Sequence, residues 1–104
     1  MKRMEYDEFA RVRDEQGLRV IDVREPDEFE EVHVRDAELF PLSRIQRGEL
    51  PEDDGRPVAL ICRSGGRSAM AAPLFERGGF AETINVEGGT LAALAAGKEE
   101  DLVR

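Results

Sequence analysis

The sequence predicts an α/β domain whose central sheet is mostly parallel and is flanked by helices. One observation is that short apolar runs with β-branched members alternate along the chain with segments that have helical spacing or helix-ending residues. A second is that segments rich in glycine, proline or aspartate separate these elements. Strands that alternate with helices pair in parallel, because each helical connection crosses a face of the sheet. At 104 residues the chain has the usual size of one domain, so residues 1–104 are expected to form a single unit.

The N-terminal half is expected to supply three short helices and two strands. The predicted helices are Tyr6–Gln16, Asp27–Val32 and Arg44–Arg47, and the predicted strands are Leu18–Val23 and Ala37–Leu42. Phe9 and Val12 have helical spacing in the first helix, which Gly17 should end. Pro26 suits the first turn of the second helix, and Ser43 suits the N-cap of the third.

The C-terminal half is expected to alternate two strands with two helices. The most apolar run of the chain, Val58–Ile61, is predicted to be a central strand, and Thr83–Val86 to be a second strand. Helices are predicted at Ser68–Arg77 and Thr90–Ala96. Residues 97–104 are rich in charge, and we expect them to form a mobile tail.

Charge and hydropathy argue against several classes of partner. The formal net charge of −8 disfavours nucleic acid and anionic membranes, because binding a polyanion requires a basic face. No apolar run approaches the ~20 residues that cross a bilayer, and the first residues lack a signal-peptide core, so a cytoplasmic location is expected. The sequence shows no apolar stripe beyond the core pattern, so the chain should be a monomer or a weak dimer.

The single cysteine restricts the available chemistry. One thiol forms no internal disulfide and no cysteine-rich metal cluster, and neither a metal nor a cofactor is predicted. Cys62 directly follows the strand Val58–Ile61 and precedes a helix, where the helix dipole and nearby cations favour the thiolate. Ligands of open α/β sheets bind at this carboxyl edge of the sheet. Cys62 is therefore the candidate nucleophile.

The loop after Cys62 is the candidate substrate site. Gly65 and Gly66 permit backbone angles at which successive N–H groups converge on an anion. Arg63 and Arg67 supply positive charge. The candidate binding residues are Arg63, Ser64, Gly65, Gly66, Arg67 and Ser68. From these residues alone, the loop could hold a sulfane sulfur, a phosphate or an arsenate.

Four parts of the chain are similar to signatures of the rhodanese family. They are the segment Ile21–Phe29, the set His33, Ala37, Pro41 and Leu42, the loop Cys62–Ser68, and the closing turn Asn85–Gly89. The resemblance implies a three-layer rhodanese-like domain and a ping-pong reaction. In that reaction Cys62 takes a sulfane sulfur from a small anionic donor such as thiosulfate and passes it to cyanide or a thiol. The resemblance also allows a protein as sulfur donor or acceptor.

Loop length distinguishes sulfur transfer from phosphatase chemistry within this resemblance. The six-residue loop from Cys62 to Arg67 is the length that the family links to sulfur transfer, whereas the related phosphatases have one residue more. Phosphatase or arsenate reductase activity is therefore the weaker hypothesis.

Departures from the family pattern keep a non-catalytic function open. Arg35-Asp36 stands where relatives commonly have Pro-Gly or a similar pair, and Ala93 stands where they commonly have tryptophan. A domain with these changes could present its loop face to a partner protein without catalysis. Asp22 and His33 are predicted to have structural rather than catalytic roles.

Overall fold

A computed structural model describes all residues from 1 to 104, and each predicted helix and strand overlaps an observed one. The strands are β1 (Lys2–Glu5), β2 (Arg19–Asp22), β3 (His33–Val34), β4 (Glu38–Leu39), β5 (Val58–Ile61), β6 (Thr83–Glu87) and β7 (Leu102–Val103). The helices are α1 (Tyr6–Val12), α2 (Pro26–Glu31), α3 (Leu42–Gln46), α4 (Gly66–Arg77) and α5 (Gly89–Ala96), and a short 3₁₀ helix spans Glu99–Asp101. None of these helices has the length and apolar character needed to cross a membrane.

The central sheet has five parallel strands in the order β1-β6-β5-β2-β4. Side chains of the central strand β5 alternate between the two faces, because successive residues of a strand point in opposite directions. Val58 and Leu60 belong to the apolar cluster under α3 and α4, and Ala59 and Ile61 belong to the cluster under α1 and α5. Helices therefore cover both faces, which confirms the predicted three-layer α/β arrangement.

Two N-terminal strands were not predicted. β1 pairs with β6 so that Lys2 lies opposite Ile84 and Met4 lies opposite Val86. The side chains of β1 are exposed or only partly buried, because an edge strand is held by backbone pairing and does not need an apolar face. β3 has only two residues, too few to show the alternation from which strands are predicted.

The C-terminal residues contain a short helix and a strand that were not predicted. β7 pairs antiparallel with β3, and Val34 lies opposite Leu102. The backbone N–H of Arg35 also donates to the carbonyl of Asp101 at 2.8 Å. Leu102 packs against the apolar cluster under α1 and α5. The sequence analysis missed this strand because a two-residue pairing leaves no periodic pattern in a charged segment.

Both departures from the family pattern are accommodated locally. Asp36 has a φ of 64°, in the left-handed region where the glycine of the usual Pro-Gly pair would lie without strain. Arg35 Nη2 lies 2.9 Å from Asp14 Oδ2, and Arg13 Nη2 donates to the Arg35 carbonyl at 2.7 Å. Ala93 is 1% exposed and belongs to the cluster under α1 and α5.

The left-handed backbone at Asp36 gives a first testable prediction. Asp36→Ala should have a free energy of unfolding about 1 kcal/mol below that of Asp36→Gly, because a Cβ is strained at positive φ and glycine has none. Asp36→Gly should stay within about 0.5 kcal/mol of wild type, since glycine relieves the strain but gains freedom in the unfolded chain. Both variants lose the same exposed contact with Arg35, so the difference between them isolates the backbone. Urea unfolding measures it, and equal stabilities would contradict this account of the corner.

Candidate active site

The candidate nucleophile lies where the sequence analysis expected it, at the carboxyl edge of the sheet. Cys62 directly follows β5, and the loop that it begins leads into α4 within four residues. Its side chain is 1% exposed and packs with the apolar cluster under α3 and α4. A small reactant therefore has to approach the sulfur through the mouth of the loop.

Hydrogen-bond donors of the loop converge on the Cys62 sulfur. The Gly65 N–H donates to Sγ at 3.1 Å and the Ser68 N–H at 3.4 Å, and Ser68 Oγ lies 3.4 Å away. Burial raises the pKa of the thiol. The hydrogen bonds from the Ser68 hydroxyl and from these backbone groups lower the pKa, and together they outweigh burial. The net result is a pKa below the usual value, which favours the nucleophilic thiolate.

Backbone N–H groups at the start of α5 bind two carbonyl groups of the loop. The Thr90 N–H donates to the Cys62 carbonyl at 2.9 Å, and the Leu91 N–H donates to the Arg63 carbonyl at 3.0 Å. The Thr90 hydroxyl adds a bond of 3.1 Å to the same Cys62 carbonyl. Because the C=O and N–H of a trans peptide point in opposite directions, the N–H groups of Arg63 and Ser64 point away from α5.

Further backbone donors are free at the start of α4. The N–H groups of Gly66 and Arg67 donate to no protein atom, as is usual in the first turn of a helix. Gly65 precedes them with a φ of 107°, a conformation that glycine adopts without strain. Free N–H groups beside a sulfur nucleophile suit an anion or the terminal sulfur of a persulfide.

A buried asparagine that the sequence analysis left without a role supports the loop from β6. Asn85 is fully buried, and its Oδ1 accepts a hydrogen bond from the Ser68 hydroxyl. Its Nδ2 donates to the Gly65 carbonyl at 3.3 Å and to Glu87 Oε2 at 2.6 Å. A carboxylate only accepts hydrogen bonds, so Glu87 fixes which end of the Asn85 amide faces Ser68. Its presence in the closing turn Asn85–Gly89 was the only sequence signal for this contact.

The hydroxyl of Ser68 gives a prediction that separates the two serines of the loop. Formation of the thiolate at Cys62 should turn the single hydroxyl hydrogen of Ser68 from Asn85 Oδ1 to the sulfur 3.4 Å away. In Ser68→Ala this donor is lost, so the pKa of Cys62 should rise. Sulfur loading at neutral pH should slow about fivefold, the equivalent of one hydrogen bond of about 1 kcal/mol. Ultraviolet titration of the thiolate and the loading rate measure these effects. Ser64→Ala, at an exposed hydroxyl of the same loop, is the matched control. Identical titrations of the two variants would remove Ser68 from this role.

The two loop arginines differ in their surroundings. Arg67 forms a two-pronged ion pair with Glu28 of α2, with Nη1–Oε1 and Nη2–Oε2 distances of 2.7 and 2.9 Å. The hydrogen bonds from Arg67 lower the pKa of Glu28 to about 2, so the pair persists at neutral pH. Arg63 is exposed and forms no ion pair or side-chain hydrogen bond. Of the two cations predicted to bind substrate, only Arg63 is therefore unpaired.

A groove adjoins the loop on the side of Arg63. Its volume is about 310 Å³. The lining residues are Arg24, Glu28, Glu31, Val32, Arg63, Thr90, Leu91 and Leu94. The groove therefore combines charged groups from α2 and the loop with apolar side chains from α5.

Asp22 and His33, for which structural roles were predicted, each contact neighbouring groups. Asp22 is fully buried at the end of β2 and binds the guanidinium of Arg24 through both oxygens, with a shortest distance of 2.8 Å. Arg24 also donates to the Val32 carbonyl at 2.7 Å. His33 stacks on Phe29 with 3.7 Å between ring centroids, and its Nδ1 lies 2.8 Å from the Phe29 carbonyl.

Comparison with known sequences finds a matching family and several relatives. The model of the family described as "Rhodanese-like domain" matches residues 5–96. An uncharacterized protein of Synechocystis is 38% identical over 86 residues, which cover 83% of this chain and 48% of that protein. The "Probable adenylyltransferase/sulfurtransferase MoeZ" of Mycobacterium tuberculosis is 40% identical over 79 residues, 72% of this chain and 20% of that protein. A "Sulfurtransferase" of Allochromatium vinosum is 33% identical and covers 79% of this chain and 77% of its own. The chain thus spans about half or less of the first two relatives.

Solved structures agree with the fold. The rhodanese-like domain protein of Staphylococcus aureus has a TM-score of 0.78 at 28% identity and covers 88% of this chain and 90% of its own. A rhodanese-related protein of Thermoplasma volcanium has a TM-score of 0.82 at 25% identity and covers 99% of this chain and 98% of its own. The second match extends over nearly the whole chain, the C-terminal segment included.

Proposed function

This chain belongs to the rhodanese-like domain family, and on that premise we propose that it moves sulfane sulfur through a persulfide on Cys62. Relatives named sulfurtransferases support sulfur transfer in general. The observation that carries the specific proposal is the Cys62 sulfur itself, buried at the carboxyl edge of the sheet. It accepts hydrogen bonds from the Gly65 and Ser68 N–H groups, and the first N–H groups of α4 lie beside it without a protein acceptor.

The proposed reaction has two displacement steps. The Cys62 thiolate attacks the outer sulfur of a donor such as thiosulfate, an S–S bond forms, and the donor S–S bond breaks as sulfite leaves with its electron pair. Free N–H groups of Gly66 and Arg67 would stabilise the negative terminal sulfur. Cyanide or a thiolate then attacks that sulfur, and the Cys62 thiolate leaves with the electrons of the broken bond. Thiocyanate or a new persulfide is the product, and the free thiolate is restored.

The physiological partners are part of the proposal. A thiol acceptor, small or protein-borne, fits a pocket that recognises charge and size through backbone N–H groups. A protein donor or acceptor is favoured by the relative named adenylyltransferase/sulfurtransferase, in which this domain is one part of a longer chain. The cytoplasmic location and the monomeric or weakly dimeric state also stay predictions.

Intact-mass spectrometry tests the proposed function. Wild-type protein incubated with thiosulfate should gain the mass of one sulfur atom, and cyanide should remove it. Protein alkylated at Cys62 beforehand is the control and should gain nothing. If a folded protein with a free and alkylatable Cys62 gains no sulfur from either thiosulfate or an organic persulfide, the non-catalytic interaction module becomes the better hypothesis.

A further inference from the structure

The positive and negative side chains that line the groove beside the active-site loop almost balance one another. Arg67 is paired with Glu28 by two hydrogen bonds, and Arg24 is paired with Asp22 inside the protein. The groups without an ionic partner at the groove are Arg63 and Glu31, one cation and one anion. The whole chain carries a net charge of −8. A small dianion therefore meets no net attraction from the charged side chains beside the loop and is repelled by the protein's net charge at a distance.

Glu28 holds Arg67 firmly. Its carboxylate engages both terminal nitrogens of the guanidinium, at 2.7 and 2.9 Å. The same carboxylate accepts the backbone N–H of Glu25 at 3.2 Å, as part of the capping box of α2. An anionic donor would have to displace a carboxylate that is anchored at its own helix before it could use the Arg67 guanidinium.

The rest of the groove favours a donor that carries carbon. Val32, Leu91 and Leu94 contribute apolar side chains next to Arg63. Leu91 is 41% exposed, so its side chain is available to a bound molecule. Apolar contact contributes nothing to an inorganic ion but stabilises a bound organic group.

We propose that Glu28 determines donor specificity, an inference that rests on the proposed function. Glu28 neutralises Arg67 and so limits the use of small dianions such as thiosulfate. The preferred donor is an organic persulfide of low net charge, whose carbon portion lies in the groove beside Arg63. The Cys62 thiolate attacks the terminal sulfur of the persulfide, and a new S–S bond forms. The S–S bond of the donor breaks, and the thiolate RS⁻ leaves with its electron pair. One sulfur moves to Cys62, and no oxidant or reductant is required.

Charge-matched variants of α2 test this proposal. Glu28→Gln keeps a capping-box acceptor but removes the charge that pairs with Arg67. Its kcat/KM with thiosulfate should rise about tenfold through a lower KM, as expected when a steering cation is released. With cysteine persulfide, the change should stay below about twofold. Glu30→Gln, on the same helix, makes the same change in net charge at an exposed residue outside the groove. It should change thiosulfate kcat/KM by less than about twofold.

Three outcomes would overturn the role of Glu28. The first is an equal rise in Glu30→Gln, which would mean that net charge alone limits the reaction. The second is no rise in Glu28→Gln. The third is a rise that persists when Arg67→Gln is combined with Glu28→Gln, since the double-mutant cycle should remove the gain if Arg67 mediates it. Failure of the proposed function has a different signature, because wild type would then gain no sulfur from either donor.

Discussion

A Cys62→Ser protein is expected to fold like the wild type and to transfer no sulfur. Serine has nearly the same shape, and its hydroxyl would lie among the same donors, the N–H groups of Gly65 and Ser68. Its oxygen cannot form the S–S bond on which the proposed cycle depends, so turnover should fall to the uncatalysed background. Intact mass after thiosulfate treatment and colorimetric detection of thiocyanate measure the two halves of the reaction.

The fold of this variant needs its own measurement, because the thiol packs in the apolar cluster under α3 and α4. A buried hydroxyl in place of a thiol should reduce the free energy of unfolding by about 1 kcal/mol, and the nearby N–H groups limit the loss. Urea unfolding should therefore give a transition close to that of wild type. Sulfur gained by folded Cys62→Ser would place the carrier atom elsewhere and contradict the proposal.

The sequence predicts the active-site loop well because its parts are contiguous. A strand, a cysteine, two glycines and a helix start follow one another between Val58 and Arg77, and local rules of strand, turn and helix apply to each. The donors to the Cys62 sulfur lie three and six residues further along the chain. Such short separations leave the geometry little freedom.

The supports of the loop could not be predicted in the same way, because they come from distant parts of the chain. Glu28 is 39 residues from Arg67, and Asn85 is 17 residues from Ser68. Each looks like an ordinary surface or strand residue in the sequence. Only the parallel sheet brings the end of β6 and the start of α2 to the same edge as Cys62. The pairing of Arg67 with a carboxylate, which alters the expected charge of the site, is therefore a result of topology.

The fold shows the same division between local and distant information. The buried strands β2, β5 and β6 were predicted from apolar runs, because both of their faces lie against helices. The edge strand β1 and the short pair of β3 and β7 were missed, because their backbone pairing makes few demands on side chains. The errors thus fall at one edge of the central sheet and in a separate two-stranded sheet, and they leave the site geometry intact.

Gly89→Ala should have the second large effect, because this residue lies directly against the active-site loop. A Cβ at Gly89 would overlap the carbonyl oxygen of Cys62 and lie 2.7 Å from that of Arg63. Both are backbone atoms, so the loop or α5 has to move. The residue also has a φ of 55°, where alanine is strained. We expect a loss of about 3 kcal/mol in the free energy of unfolding, from overpacking and backbone strain together.

The displaced loop should also lose activity. The N–H groups of Thr90 and Leu91 bind the Cys62 and Arg63 carbonyls only while α5 keeps its close approach, and a shift of about 1 Å in such a site costs about a hundredfold in rate. Gly97→Ala is the matched control, since Gly97 has a φ of 70° but nothing within 4 Å of the added Cβ. It should lose only about 1 kcal/mol of stability and retain the loading rate of wild type. If Gly89→Ala loaded sulfur as fast as Gly97→Ala, the close contact between α5 and the loop would not be what positions Cys62 for transfer.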